Sequence, residues 1–131
     1  MQAKLYLNGD MMKIQEFVFK AKKQDKRNIF EKTTKDVSNI PNVLRVFYRE
    51  ANPVDVEISM DGNSVKFYPL DELLLLQDDY KLNNDCFIFA TCNSDPIFLK
   101  EGIVYSCYHG AKGTEKEFVA DSFETFLDLI D

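Results

Sequence analysis

Cys107 and His109 are the two residues whose side chains could support nucleophilic chemistry in this 131-residue sequence. A histidine can activate a cysteine thiol by accepting its proton. The two residues share one face of a predicted strand, but neighbours at i and i+2 seldom align for that transfer, and no obvious orienting carboxylate lies nearby in the sequence. A small enzyme using Cys107 and His109 is therefore an alternative, and the sequence favours a non-catalytic protein.

Metal and phosphate chemistry lack their usual motifs. One histidine and three scattered cysteines do not make a zinc ligand set. Carboxylates could attract a divalent cation, but no D-x-D-x-D-G calcium loop is present, and no glycine-rich phosphate-binding loop occurs. We therefore predict neither a metal nor a cofactor. The acidic residues that could attract a cation are Asp78, Asp79, Asp85 and Asp95.

The charge is distributed unevenly along the chain. Residues 1–50 carry 11 Lys and Arg against 6 Asp and Glu, whereas residues 51–131 carry 5 against 16. An acidic surface repels nucleic acid and attracts a cationic protein, so a protein partner is predicted and nucleic acid is not. The alternative is that the acidity serves solubility alone. The basic stretch Lys20–Arg27 is interpreted as a solvated helix face, since acidic residues interrupt it.

The sequence favours a cytoplasmic protein with no membrane association. The longest leucine block, Leu73–Leu76, is far shorter than the roughly 18 apolar residues of a membrane span, and charged residues flank it. The N-terminus lacks the features of a signal peptide. An odd number of cysteines without a C-x-x-C pair predicts thiols rather than a disulfide framework.

Helical periodicity marks both ends of the chain. Apolar residues from Met11 to Ala21 predict a helix capped by Asp10, and residues 29–40 are interpreted as its continuation or a loop. A second helix follows Pro41, and Asp71 is expected to cap a short third one. The last helix is expected to start at a capping box formed by Asp121 and Glu124, with Ser122 as a cap residue.

Period-two alternation marks the strands between these helices. Val56, Ile58 and Met60 predict a strand that turns at Asp61–Gly62. Residues 86–91, 97–99, 103–109 and 118–120 predict further strands. The chain is therefore expected to be a single α+β domain over residues 1–131, with a mostly antiparallel sheet of about five to six strands, helices on one side and a C-terminal helix. Residues 1–40 form its N-terminal helical segment.

Four segments of the sequence are distinctive as a set: IPNVLRVFYREANPVDVEI, VKFYPLDELLLLQDDY, CFIFATCNSDPIFLKEGIVYSCYHG and FVADSFETFLDLI. In this order they resemble the SUKH superfamily, the small α+β domains of bacterial toxin-immunity proteins and fungal cell-wall regulators. The resemblance covers about residues 40–130.

The resemblance implies an immunity protein that neutralises a bacterial toxin domain, of nuclease or deaminase type, by tight non-covalent binding. A general protein-interaction or regulatory module of the same fold is the alternative. A toxin that binds the phosphates of nucleic acid has a cationic surface, so acidic residues at turns and helix ends are the expected contacts. Tyrosines are expected to serve as aromatic anchors. These candidate partner-binding residues are Asp78, Asp79, Tyr80, Asp85, Asp95, Glu101 and Tyr108.

Overall fold

A computed structural model describes residues 2–111 and 115–131 of the protein, with side chains from residue 11 onward. Within this part of the chain, seven strands form one antiparallel sheet in which neighbouring strands follow the chain order. The sheet therefore exceeds the expected five to six strands, and its all-antiparallel order confirms the predicted fold class. The strands are β1 (Ile29–Glu31), β2 (Asn52–Met60), β3 (Asn63–Phe67), β4 (Phe87–Cys92), β5 (Asp95–Lys100), β6 (Ile103–Ser106) and β7 (Glu117–Ala120).

Four α-helices accompany the sheet in the described residues. Helices α1, α2 and α4 contact one another or the same strands and lie on one side of the sheet, whereas α3 packs against β4 and follows a 3-10 turn at Leu70–Glu72. The helices are α1 (Gln2–Gln24), α2 (Asn42–Glu50), α3 (Leu73–Tyr80) and α4 (Phe123–Leu127).

Aromatic side chains fill the space between helices and sheet. Phe67 of β3 lies with its ring centroid 5.4 Å from Phe17 of α1, 6.0 Å from Phe47 of α2 and 6.0 Å from Phe126 of α4. The ring of Phe89 in β4 lies 5.3 Å from Phe126. Helix α1 also buries Ile14 and Ala21, so this helix contributes to the core.

Three two-residue turns fix the register of the sheet. Both turn residues have positive φ in each case: 49° and 80° at Asp61–Gly62, 51° and 71° at Asn93–Ser94, and 52° and 79° at Glu101–Gly102. Two positive φ values are typical of the type I′ hairpin, whose twist matches that of the strands. The turn at Asn93–Ser94 is the one of these three without glycine.

Several element boundaries differ from the prediction. Helix α1 begins at Gln2 rather than after Asp10, and the short edge strand β1 replaces the expected loop or helix after Ile29. A three-residue strand has too few alternations to reveal itself in sequence.

Two predicted caps are also wrong. The 3-10 turn begins before Asp71, which therefore does not cap α3. The N-cap of α4 is Ser122, whose Oγ accepts a hydrogen bond from the Thr125 N–H, so Ser122 is confirmed as a cap residue and the Asp121–Glu124 capping box is not formed as predicted.

Candidate functional site

The β4–β5 turn is tied to the end of helix α3. Ser94 holds a φ of 71°, a conformation that favours glycine and costs roughly 1 kcal/mol or more for other residues. The Tyr80 hydroxyl donates a hydrogen bond of 2.7 Å to the Ser94 carbonyl oxygen. Burial raises the pKa of Tyr80, and the nearby charges of Asp79 and Asp95 raise it further. The tyrosine, the turn and the two carboxylates thus lie close together.

Asp95 makes two contacts with His109, which lies in the segment that follows strand β6. Its Oδ1 accepts a 3.0 Å hydrogen bond from the His109 backbone N–H and lies 3.0 Å from the ring Nδ1. The pairing of Ile97 with Ser106 carries Asp95 to this position, although 14 residues separate it from His109. The sequence expectation that no orienting carboxylate serves His109 was therefore wrong.

Tyr108 is the most exposed large hydrophobic side chain among the described residues, with 73% of its surface accessible. It borders a concavity of about 320 Å³ that is also lined by Asp95, Cys107 and Glu115–Glu117. We call Tyr80, Asp95, Tyr108, Glu115 and Glu117 the turn-end surface. Three of its five residues are carboxylates and two are tyrosines, so the surface combines negative charge with aromatic area.

The seven predicted site residues lie in three separate places in the structure. Tyr80, Asp95 and Tyr108 lie on the turn-end surface, and Asp79 borders it. Asp85 and Glu101 lie at the other end of β4 and β5, about 17 Å away along a five-residue strand length. There Asp85 is paired with Lys100 at 3.4 Å, and both acidic residues line a groove of about 480 Å³.

Asp78 lies apart from both groups. It is exposed on α3, one helical turn from Leu74, and therefore belongs to the outward face of that helix.

Sequence reasoning missed Glu115 and Glu117. They lie between the predicted strands at residues 103–109 and 118–120, in a segment of which residues 112–114 lie outside the described part of the chain. Glu117 reaches the site because it pairs with Ser106 across β6 and β7. The acidic composition of this segment was a visible signal, but the strand pairing that places it was not.

Cys107 and His109 differ in exposure and in their surroundings. The Cys107 side chain is buried, whereas His109 is exposed and its ring Nδ1 lies 3.0 Å from the Oδ1 of Asp95. Cys86 and Cys92 are also thiols. Burial raises the pKa of Cys86 to about 11, and burial likewise raises the pKa of Cys92.

We expect the thiols of the folded protein to react slowly. With a pKa of about 11, Cys86 is on the order of 0.1% thiolate at pH 8, and Cys107 is only 6% exposed, which limits access to its sulfur. Labelling with Ellman's reagent at pH 8 should be roughly 100-fold slower in the native protein than in urea, as followed by absorbance and peptide mapping. Selective fast labelling of Cys107 would contradict this and favour the Cys107–His109 enzyme.

Two further classes of feature can be assessed over the described residues. No group of three or more His, Cys, Asp and Glu side chains in this part of the chain could hold a metal ion. Its helices do not combine the length and the apolar composition that a membrane span requires.

Comparison with known proteins matches most of the chain to a protein family. The model of the SMI1 / KNR4 family (SUKH-1) matches residues 29–129, from strand β1 to the end of the C-terminal helical segment. The match thus includes all seven strands and every residue of the turn-end surface. No curated protein matches the chain.

Proposed function

The chain belongs to the SMI1 / KNR4 family (SUKH-1), which supports a non-catalytic immunity or regulatory role, and from this premise we propose that it is an immunity protein. It binds a toxin domain of nuclease or deaminase type, tightly and without covalent chemistry, and blocks the toxin in the cytoplasm of the bacterium that makes it. The turn-end surface is the contact surface. The observation that carries this assignment is an exposed tyrosine surrounded by carboxylates.

Charge complementarity supports a cationic partner. Asp95, Glu115 and Glu117 place three negative charges around one concavity, against one positive charge, that of Lys116, among the described residues that line it. A toxin that acts on nucleic acid presents cationic side chains where it contacts phosphates. Carboxylates directed at those side chains speed the encounter and occupy the substrate site.

The rigidity of the surface also supports binding. Asp95 is fixed by the backbone and the ring of His109, and Tyr80 is fixed by its bond to Ser94. Side chains that are already ordered lose little conformational entropy on association. Tyr108 adds a large amphipathic side chain of the type enriched at the energetic centres of interfaces.

The test uses the product of the neighbouring gene, which an immunity function predicts to be the toxin, and calorimetric measurement of the dissociation constant. We expect Asp95→Lys combined with Glu117→Lys to weaken binding by roughly 100-fold or more, because two attractive charges become repulsive. Tyr108→Ala should weaken it by about tenfold through loss of an aromatic anchor. Circular dichroism verifies that each variant is folded.

Asp85→Lys combined with Glu101→Lys is the matched control. It makes the same change of net charge at the opposite end of β4 and β5, and we expect the dissociation constant to change by less than about threefold at physiological salt. Equal weakening by both double variants would contradict a contact at the turn-end surface. Absence of any complex with the neighbouring toxin would contradict the immunity function itself.

A regulatory module is the second candidate, since the family covers immunity and regulatory domains alike. Such a module would use the same binding chemistry on cellular proteins. Affinity purification from cells separates the two: recovery of partners other than toxins, lost in the Asp95→Lys and Glu117→Lys variant, favours regulation.

A further inference from the structure

Helix α3 presents an acidic face with two exposed leucines. Leu74 and Leu75 are 52% and 66% exposed, and Asp78 and Asp79 lie one turn further along the same face. The last turn of α3 contains no basic side chain, so the negative end of the helix dipole and the two carboxylates reinforce one another. This α3 face therefore combines apolar area with concentrated negative charge.

Helix α1 presents apolar side chains together with positive charge. Phe19 is 63% exposed, and Lys22 and Lys23 follow it at spacings of three and four residues, which places the three side chains on one face. Lys26 adds a further positive charge in the turn that follows the helix. The ammonium of Lys23 lies 5.6 Å from the centre of the Phe19 ring. Met12, 68% exposed, extends this α1 face by two turns toward the N-terminus.

The two faces match in charge as well as in apolar character. Residues 11–27 carry six Lys and Arg against two Asp and Glu, a net charge of +4. Residues 71–85 carry one Lys against five Asp and Glu, a net charge of −4. Both faces are solvent-exposed within the molecule, so neither is occupied by the other.

We propose that the α1 face of one molecule docks on the α3 face of a second copy of this chain. The aromatic ring and methionine of α1 pack against the two leucines, while the lysines pair with Asp78 and Asp79. In the dimer, the α1 face of each molecule contacts the α3 face of the other. These two equivalent contacts close the assembly at two copies. The two helix–helix contacts are small compared with the roughly 1,200–2,000 Å² that stable interfaces bury, so we expect an association that is weak and depends on concentration and salt.

The test compares two charge reversals by sedimentation velocity in 50 mM salt over a concentration series. Lys22→Glu with Lys23→Glu, and separately Asp78→Lys with Asp79→Lys, should each weaken self-association by about tenfold or more. An equimolar mixture of the two variants should regain the wild-type affinity to within about threefold, because each reversed α1 face then meets a reversed α3 face. Raising the salt to 500 mM should dissociate the wild-type dimer.

Two controls make the result specific to these faces. Glu101→Lys with Asp121→Lys changes the net charge equally at exposed positions outside both faces and should leave association unchanged. Leu74→Ser with Leu75→Ser keeps every charge and should weaken association, which tests the apolar part. A wild-type protein that stays monomeric throughout the series, or a mixture that stays monomeric, would overturn the proposal.

Failure of this proposal is distinguishable from failure of the immunity function. Asp79 borders both surfaces, but Lys22 and Lys23 lie on α1 and outside the turn-end surface. The Lys22→Glu and Lys23→Glu variant should therefore lose self-association while keeping its affinity for the toxin. Loss of toxin binding in this variant would place the toxin, rather than a second copy, on the α1 face.

Discussion

Replacing Phe67 with alanine will lower the free energy of unfolding by about 3–5 kcal/mol. Phe67 is 1% exposed and its ring packs against rings from all layers of the core, including Phe17, Phe47 and Phe126. Truncation leaves a cavity bounded by elements that other contacts hold in place, so the site cannot collapse to fill it. A loss of this size approaches the whole stability of a marginally stable domain.

Urea unfolding followed by circular dichroism measures this effect. Phe118→Ala is the matched control, because Phe118 also lies on a strand but is 65% exposed, and we expect its truncation to cost less than about 1 kcal/mol. Phe67→Leu, which retains most of the buried volume, should fall between the two. Equal losses for Phe67→Ala and Phe118→Ala would show that the aromatic cluster is not the centre of the core.

Replacing Gln77 with alanine will lower the free energy of unfolding by about 2–4 kcal/mol. The Gln77 Oε1 accepts a 2.8 Å hydrogen bond from the Ile88 N–H, while its Nε2 donates to the Ile88 carbonyl at 2.7 Å and to the Leu73 carbonyl at 2.8 Å. The described pairing of β3 with β4 spans Ala90–Cys92 and does not reach Ile88. The amide of Gln77 therefore takes the place of a strand neighbour, and its loss leaves two buried backbone groups unpaired.

Gln77→Glu identifies this mechanism through its pH dependence. A carboxylate still accepts from the Ile88 N–H but repels the two carbonyl oxygens, whereas a protonated carboxyl can donate to one of them. Urea unfolding at a series of pH values should show the variant regaining stability relative to wild type as the pH falls toward about 4, the ordinary range of a glutamic acid. Asp78→Ala, one residue away and exposed, should stay within about 0.5 kcal/mol of wild type at neutral pH. A pH-independent loss in Gln77→Glu would contradict the proposed hydrogen-bonding role.

Local signals explain which parts of the fold could be predicted. The alternation of Val56, Ile58 and Met60 and the Asp61–Gly62 turn define a hairpin through neighbouring residues alone, and the structure has this hairpin. The helix after Pro41 and the C-terminal helix capped at Ser122 also follow from local spacing. Strand β1 carried no such signal, because its pairing with β2 reaches across more than 20 residues.

The arrangement of the candidate site, unlike these local elements, could not be predicted from neighbouring residues. The sequence indicated which carboxylates and tyrosines could bind a partner, but it could not show that Asp95 meets His109 or that Asp85 lies at the opposite end of β5. Those relations depend on strand register, and the rigid extended length of β5 keeps its two ends about 17 Å apart.

By itself, the sequence determined an acidic α+β domain with an antiparallel sheet, because periodicity, turn residues and charge act between neighbours along the chain. Only the tertiary structure decided that Phe67 packs against aromatic rings from three helices. The same holds for the hydrogen bond that the Gln77 side chain accepts from the Ile88 N–H of β4. The tertiary structure also decided that Asp95, Tyr108 and Glu117 share one surface. The physical reason is that these contacts join residues distant in sequence, and the packing of the whole chain selects them.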